Sequence, residues 1–404
     1  MNIISKLFGC NDIGIDLGSA NMRVWVKGRG LVLDEPSVVR YHHDRETAKS
    51  HIVGVGDEAF GAIILEFPWR YDIAFRRPMK GGAIPELGIV EKFLAYCFER
   101  AKAVCKIKFR KSRVTIAVPC GITEYEKCIL KGAAQSAGAS EVFFIDSLKA
   151  VAIGAGIPVS EPKGCMIVDI GAAMTKIAAL SHGDVVHGKV LHVGGDDMDK
   201  SIMKLMLNKH NLCMCGERQA ANIKVKIGTA CDPETELDCE VQGRDFESGL
   251  ARTITVNSQE IREEALADVL GQIEEALGGF LAHLEPGLLT DIAANGIFLT
   301  GGGALLRGLD KRLAEATGLP VRVADDPAHA TIRGIGAVVG EPDFRSKIGN
   351  CDGAGSINRA SGKWVMNRNR AKGMLWGLIV GDAFGSPIQF RGKDNHPCVC
   401  SVRC

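Results

Sequence analysis

No run of apolar residues reaches the roughly 18 that cross a bilayer as a helix, so the sequence predicts no membrane-spanning segment. Aromatic side chains are scarce, at 6% with four Trp and four Tyr, while Gly is abundant at 48 of 404 residues. Many small residues and few large rings suit an α/β protein in which helices lie close on sheets. The 14 Cys form no regular framework. Cys97, Cys120, Cys128 and Cys165 sit singly in apolar runs, where a free thiol acts as a small hydrophobe. The close pairs Cys213/Cys215 and Cys398/Cys400 lack zinc spacing and a His partner. With no secretory leader visible, reduced thiols and a cytoplasmic location are expected. Net charge is +1, which names no partner, and no nucleic-acid partner is expected. From Phe344 onward, ten Lys/Arg face three Asp, so the tail is basic and the body acidic.

What is present is a core. Hydrophobic residues make up 46% of the chain, which excludes a disordered polymer and allows more than one lobe. Residues 12–27 alternate as strand, tight turn and strand. Periodicity predicts helices over 88–105, 123–137 and 260–285, strands over 113–119 and 142–145, and a small-residue helix over 150–155. The opening pattern then returns. Ile167-Val-Asp-Ile-Gly-Ala-Ala-Met-Thr-Lys is again strand, turn and strand, and Asp16 and Asp169 hold equivalent places. A repeat at that scale predicts two related lobes, each lending one hairpin to a shared cleft.

A phosphate approached by backbone N–H donors needs small residues in tight turns. Asp16-Leu-Gly-Ser-Ala-Asn provides one such turn, Asp169-Ile-Gly-Ala-Ala a second and Gly301-Gly-Gly-Ala-Leu-Leu a third. Asp16 and Asp169, at strand ends, could hold Mg²⁺ through water, since hard cations take oxygen ligands. Each turn alone reads as an ordinary strand connection. Three in this order around a duplicated unit read as a nucleotide site.

That order resembles the actin, Hsp70 and sugar-kinase ATPase superfamily. Finer runs resemble its MreB branch: Ile15-Asp-Leu-Gly-Ser-Ala-Asn, Asp34-Glu-Pro-Ser, Arg77-Pro-Met-Lys, Val193-Gly-Gly-Asp and Leu299-Thr-Gly-Gly-Gly-Ala-Leu-Leu. The resemblance spans about residues 10–340. It implies a four-subdomain actin-like fold with ATP and Mg²⁺ between lobes 10–150 and 151–340, each interrupted by a small subdomain, about 30–80 and about 185–255. It further implies filaments of this chain on the inner face of the cytoplasmic membrane, working with the cell-wall synthesis machinery to set rod shape. By position, Ser19, Ala20 and Asn21 match the first phosphate loop, and Gly171, Ala172 and Ala173 the second. Ala220, Ala221, Asn222 and Ile223 match the ribose side, and Gly302, Gly303, Ala304 and Leu305 the adenosine side.

The departures fall on chemistry. The family's second loop reads Gly-Gly-Gly-Thr-Thr-Glu, against Gly171-Ala-Ala-Met-Thr-Lys here. Two Cβ atoms are thereby expected to crowd the turn. Met174 replaces the water-positioning Thr, and Ser147 stands where the water-polarising Glu belongs. Loss of both groups predicts weak nucleotide binding with impaired or absent hydrolysis. The alternatives are a sugar-kinase-like phosphotransferase of the same fold, or a vestigial, non-polymerising relative.

Residues 1–9 carry Ile3, Ile4, Leu7 and Phe8 on one helical stripe, and Ile107 and Phe109 alternate with cations over 106–111. Both suit contact with an anionic leaflet. Residues 341–372 read as a linker. Residues 373–404, with the run just before them, resemble the opening helix of ADP-ribosylglycohydrolases over about 20 residues. Asp382 alone cannot build that family's metal site, so a truncated remnant is expected.

Overall fold

The computed structural model describes residues 12–341, apart from 45–48, 62–72, 80, 82–86, 106–111, 120–121, 158–162, 183 and 215. The expected N-terminal anchor, the apolar loop at Ile107 and Phe109, the linker and the tail lie outside the described residues.

The chain opens with β1 (Asp12–Leu17), β2 (Asn21–Val26) and β3 (Gly30–Pro36) as an antiparallel meander. An inserted sheet of β4 (Val39–Asp44), β5 (Lys49–Val55) and β6 (Ile73–Arg76) follows, in the order β5-β4-β6. Helix α1 (Leu87–Cys105) leads to β7 (Ser112–Val118), and α2 (Glu124–Ser136) leads to β8 (Ala139–Asp146) and α3 (Ser147–Gly154). The first sheet runs β3-β2-β1-β7-β8, with β7 parallel to both β1 and β8. The start of α2 is fixed by a capping box: the Thr123 hydroxyl accepts from Glu126 N at 3.2 Å, and the Glu126 carboxylate accepts from Thr123 N at 3.0 Å.

The second half repeats the plan. β9 (Cys165–Ile170), β10 (Thr175–Ser181) and β11 (Asp184–Leu191) form a meander. Helix α4 (Gly195–His210), β12 (Leu212–Cys213), α5 (Glu217–Ile227), β13 (Asp238–Asp245) and β14 (Ala251–Asn257) make the insertion. Helices α6 (Ala267–Leu281) and α7 (Pro286–Asn295) then lead to β15 (Ile297–Thr300), α8 (Leu309–Thr317), β16 (Val321–Val323) and α9 (Ala330–Gly340). The second sheet runs β11-β10-β9-β15-β16. That is the first order over again, strand for strand.

One expectation needs correction. The helix over 260–285 begins at an Asn257 cap, passes through a π-helical stretch Ile261–Leu266 and ends at Leu281. Periodicity alone does not register the extra residue in a π turn. Near the expected starts of the small subdomains, about 30 and about 185, β3 and β11 pair within the large sheets.

The last helix of each lobe packs on the other lobe. α3, from the first half, puts Leu148, Val151 and Ala152 among Ile167, Ala178 and Leu180 of the second sheet. α9, from the second half, sets Ile335 over Gly14 of β1 and Gly336 against the Trp25 ring of β2. The two helices cross with no side chain between them: a Cβ on Gly154 would lie 1.8 Å from the Ala330 carbonyl oxygen, and one on Gly334 would lie 1.8 Å from that of Ala150.

The Asp34-Glu-Pro-Ser run gains a structural reason. Glu35 is buried at 3% exposure. Its carboxylate accepts from Tyr96 Oη at 2.6 Å, from Arg100 Nε and Nη2 at 3.3 and 3.1 Å, and from Asp57 N at 3.4 Å. Burial, then that hydrogen bond, push the Tyr96 phenol well above its ordinary value. One carboxylate thus ties β3, α1 and the start of the short helix Asp57–Gly61 together.

Candidate functional site

The two hairpins face each other across a cavity of about 590 Å³. Between β1 and β2, Gly18, Ser19, Ala20 and Asn21 form its first wall; a Cβ on Gly18 would strike Asn21 O at 2.5 Å. Between β9 and β10, Gly171, Ala172, Ala173 and Met174 form the second, closed by Gly171 N donating to Met174 O at 2.8 Å. Neither Ala172 nor Ala173 lies in the left-handed region, so the expected cost of replacing Gly there does not arise in the backbone; their methyl groups do line the cavity.

The third wall is Gly301, Gly302, Gly303 and Leu305. Gly301 has φ +82°, and a Cβ there would meet Ile170 O at 2.4 Å and Asp169 Oδ1 at 2.7 Å. Only glycine meets both demands. Leu305 is 62% exposed, an apolar surface at the cavity's edge, whereas Ala304 is buried beneath it.

On α5 the helical phase separates the expected residues. Ala221 lines the cavity, while Ala220 and Ile223 belong to the core of the second lobe. Asn222 is not part of the lining, and Lys224 and Val225, one turn on, are. Four contiguous residues of a helix cannot all face one ligand.

The floor is where α3 begins. Ser147 lines the cavity at 5% exposure, and Met174 stands in the turn opposite. Asp146 is no stand-in for the missing carboxylate. It is the N-cap of α3, accepting from Leu148 N at 2.8 Å, and is not in the cavity wall.

Sequence reasoning passed over the charges. Asp16 on β1 is the cross-strand partner of Arg23 on β2, and Asp169 on β9 that of Lys176 on β10. Arg23 Nη1 lies 3.6 Å from Asp16 Oδ2, and Lys176 Nζ 3.4 Å from Asp169 Oδ2. Lys176 Nζ also donates to Ser147 Oγ at 3.3 Å, and Thr300 Oγ1 to Asp169 Oδ1 at 3.4 Å. Burial pushes the Asp16 carboxyl up, against the pull of Arg23 and Lys176. The signal that finds both cations is the repeat itself, since each follows its aspartate at the same offset. Asp16 and Asp169, expected to hold Mg²⁺ through water, therefore each face a cation of the chain.

Two contacts span the cavity's margins. Arg77, just beyond β6, pairs with Asp196 at the start of α4 and reaches Glu217 of α5 at 3.4 Å. The Arg77-Pro-Met and Val193-Gly-Gly-Asp runs thus meet across the mouth. Elsewhere, His329 Nε2 bonds Asp34 Oδ2 at 2.8 Å and its Nδ1 bonds Asp326 Oδ1 at 2.6 Å. The Asp326 bond, partly opposed by burial and reinforced by Asp34, raises the imidazole above its ordinary 6.5. Burial pushes Asp34 up, but His329, Arg23 and Asn21 outweigh it and hold the carboxyl low. A raised imidazole stabilises the fold fully below its unfolded value and loses that contribution as pH rises through the folded one. The parent is expected to lose stability as pH rises above the ordinary imidazole value of 6.5. His329→Asn should flatten that slope in thermal melts taken across that rise; an unchanged slope would remove His329 as its source.

Duplicated lobes with matching strand orders, and three small-residue turns closing on one cleft, define the actin-like ATPase fold. The sequence profile of the MreB/Mbl protein family matches residues 10–346, and the chain belongs to that family. It is 41% identical over 326 residues to the cell shape-determining protein MreB of Escherichia coli strain K12, covering 81% of this chain and 92% of that one. It is 39% identical over 332 residues to the cell shape-determining protein Mbl of Bacillus subtilis strain 168, covering 82% and 96%. Among solved structures it is similar to MreB5 of Spiroplasma citri bound to ADP, with TM-score 0.76, 30% identity and coverage of 84% and 98%. A MamK double helical filament shares the fold, with TM-score 0.66, 21% identity and coverage of 82% and 99%.

Proposed function

We propose that the chain is a nucleotide-binding cytoskeletal protein that polymerises on the inner face of the cytoplasmic membrane and acts with the cell-wall synthesis machinery in cell shape, with ATP hydrolysis impaired or absent. Nucleotide binding is supported by the Spiroplasma citri relative, solved with both ADP and AMPPNP, and by three turns lining one cavity here. The first loop is read as the phosphate grip, with Gly302, Gly303 and Leu305 toward the adenosine. Membrane contact is assigned to Ile3, Ile4, Leu7 and Phe8 and to Ile107 and Phe109.

One observation carries the hydrolytic defect. Where the cavity meets α3 the side chain is Ser147, held by Lys176, and the adjacent carboxylate of Asp146 is spent on capping. Positioned general-base help is worth about 10²–10⁴-fold, so its loss leaves a slow site. Sedimentation and phosphate release from one sample test both parts. Filaments are expected to pellet equally with ATP and AMPPNP while phosphate release stays at the buffer background. Turnover at rates typical of enzymes, about 1 s⁻¹ or above, would overturn the defect. A chain that stays monomeric with every nucleotide would overturn the filament.

A further inference from the structure

We infer that this cleft takes adenine nucleotide as the metal-free polyanion, with Lys176 and Arg23 supplying the positive charge that a divalent ion would otherwise bring. The inference rests on the nucleotide reading above and deepens it.

A hydrated Mg²⁺ at a nucleotide is held by one or two carboxylates together with the phosphates, and a cation already paired with such a carboxylate repels it. Here the two hairpins each carry an aspartate and, directly across the strand pair, a cation: Asp16 with Arg23, Asp169 with Lys176. Both pairs are inside the cavity wall. Their side chains are 9–15% exposed, so water screens them little. The four charges cancel, and an incoming divalent ion would meet an ammonium and a guanidinium beside the two carboxylates it needs. The donor set does not fit the metal.

It does fit a phosphate chain. An ammonium has three donors. Lys176 spends two of them on long contacts, 3.3 Å to Ser147 Oγ and 3.4 Å to Asp169 Oδ2, so a phosphate oxygen can take the third and outbid the others. Arg23 is shared between Asp16 at 3.6 Å and Asp34 at 3.2 Å. The other cavity lysine is committed: Lys224 Nζ holds Asp199 Oδ1 at 2.7 Å and Gly195 O at 2.8 Å. Lys176 also stands where the family's loop motif ends in Glu. At that site the charge is reversed, not merely lost.

The test is a calorimetric titration of ATP into the full chain, once with excess EDTA and once with excess MgCl₂. The parent should bind in EDTA and lose about tenfold or more in MgCl₂, because excess Mg²⁺ draws ATP into its magnesium complex and leaves little of the free polyanion; equal or tighter binding in MgCl₂ would overturn the metal-free assignment. Lys176→Glu should weaken ATP in EDTA by about tenfold or more and regain it with MgCl₂, because the change restores an uncompensated acidic site. Lys176→Gln removes the charge while keeping a polar end, one bond shorter, and settles the matter if the Glu variant does not fold. It should weaken ATP in EDTA by about fivefold or more. A parent that binds only with MgCl₂, or a Lys176→Gln chain that binds like the parent in EDTA, would overturn the metal-free assignment and leave the nucleotide reading standing. A parent that binds under neither condition would overturn the nucleotide reading itself.

Discussion

A chain carrying Gly334→Ala should melt roughly 6–12 °C below the parent. The added methyl would lie 1.8 Å from the Ala150 carbonyl oxygen, and the next atoms it meets, Ala150 C at 2.7 Å and Gly154 N at 3.0 Å, are also backbone. No rotamer change relieves a clash with main chain. The helices must part, and with them the packing of α9 on β1 and β2 and of α3 on the second sheet. Forcing atoms into a closed contact of this kind costs about 3 kcal/mol or more. Gly271→Ala is the control. It lies within α6, and a Cβ there meets nothing within 4 Å. The same chemical change should then stabilise by about 0.4–1 kcal/mol, through lost freedom in the unfolded chain. Melting curves of the two variants should move in opposite directions. If both move little, the crossing is looser than its backbone distances state.

The second large effect is a gain of activity. Replacing Ser147→Glu and Met174→Thr restores the two residue types that the family uses to position and polarise water. The pair of changes alone should do little, because Lys176 Nζ already contacts the Ser147 side chain and would neutralise a new carboxylate in the same place. Adding Lys176→Glu removes that quench. The triple variant should release phosphate about 10²–10⁴-fold faster than the parent in the presence of Mg²⁺, read by a continuous phosphate assay. Equal rates in double and triple variants would remove Lys176 from the account. Silence in all three, with ATP bound, would mean that the loop positions have been matched wrongly.

Much of the architecture was readable before any coordinates. The hairpins at Asp16 and Asp169 announce themselves because strand alternation and small-residue turns are local signals, and their recurrence predicts the repeated sheet order. Nothing local tells whether β3 or β11 pairs inward or outward, and both pair within the large sheets. The expected crowding at Ala172 and Ala173 treated glycine as a conformational need, but that stretch of backbone never enters the left-handed region. The ribose-side run 220–223 shows a different limit. Sequence gives the helix but not its rotation, and only Ala221 turns to the cavity. The cations Arg23 and Lys176 were hidden for a third reason. Each lies seven positions beyond its aspartate, and only the hairpin register brings the two ends side by side.

The exchange of terminal helices governs how the halves can move. α3 and α9 touch main chain to main chain at Gly154 and Gly334, so they can neither separate without tearing both sheets from their covers nor slide far before a neighbouring Cβ meets main chain. α3 starts at Ser147 on the cavity floor and ends in that crossing at Gly154, seven residues on and about 10 Å away. Whatever draws Lys176 off Ser147 therefore acts on the first residue of a helix whose far end is locked against the other half.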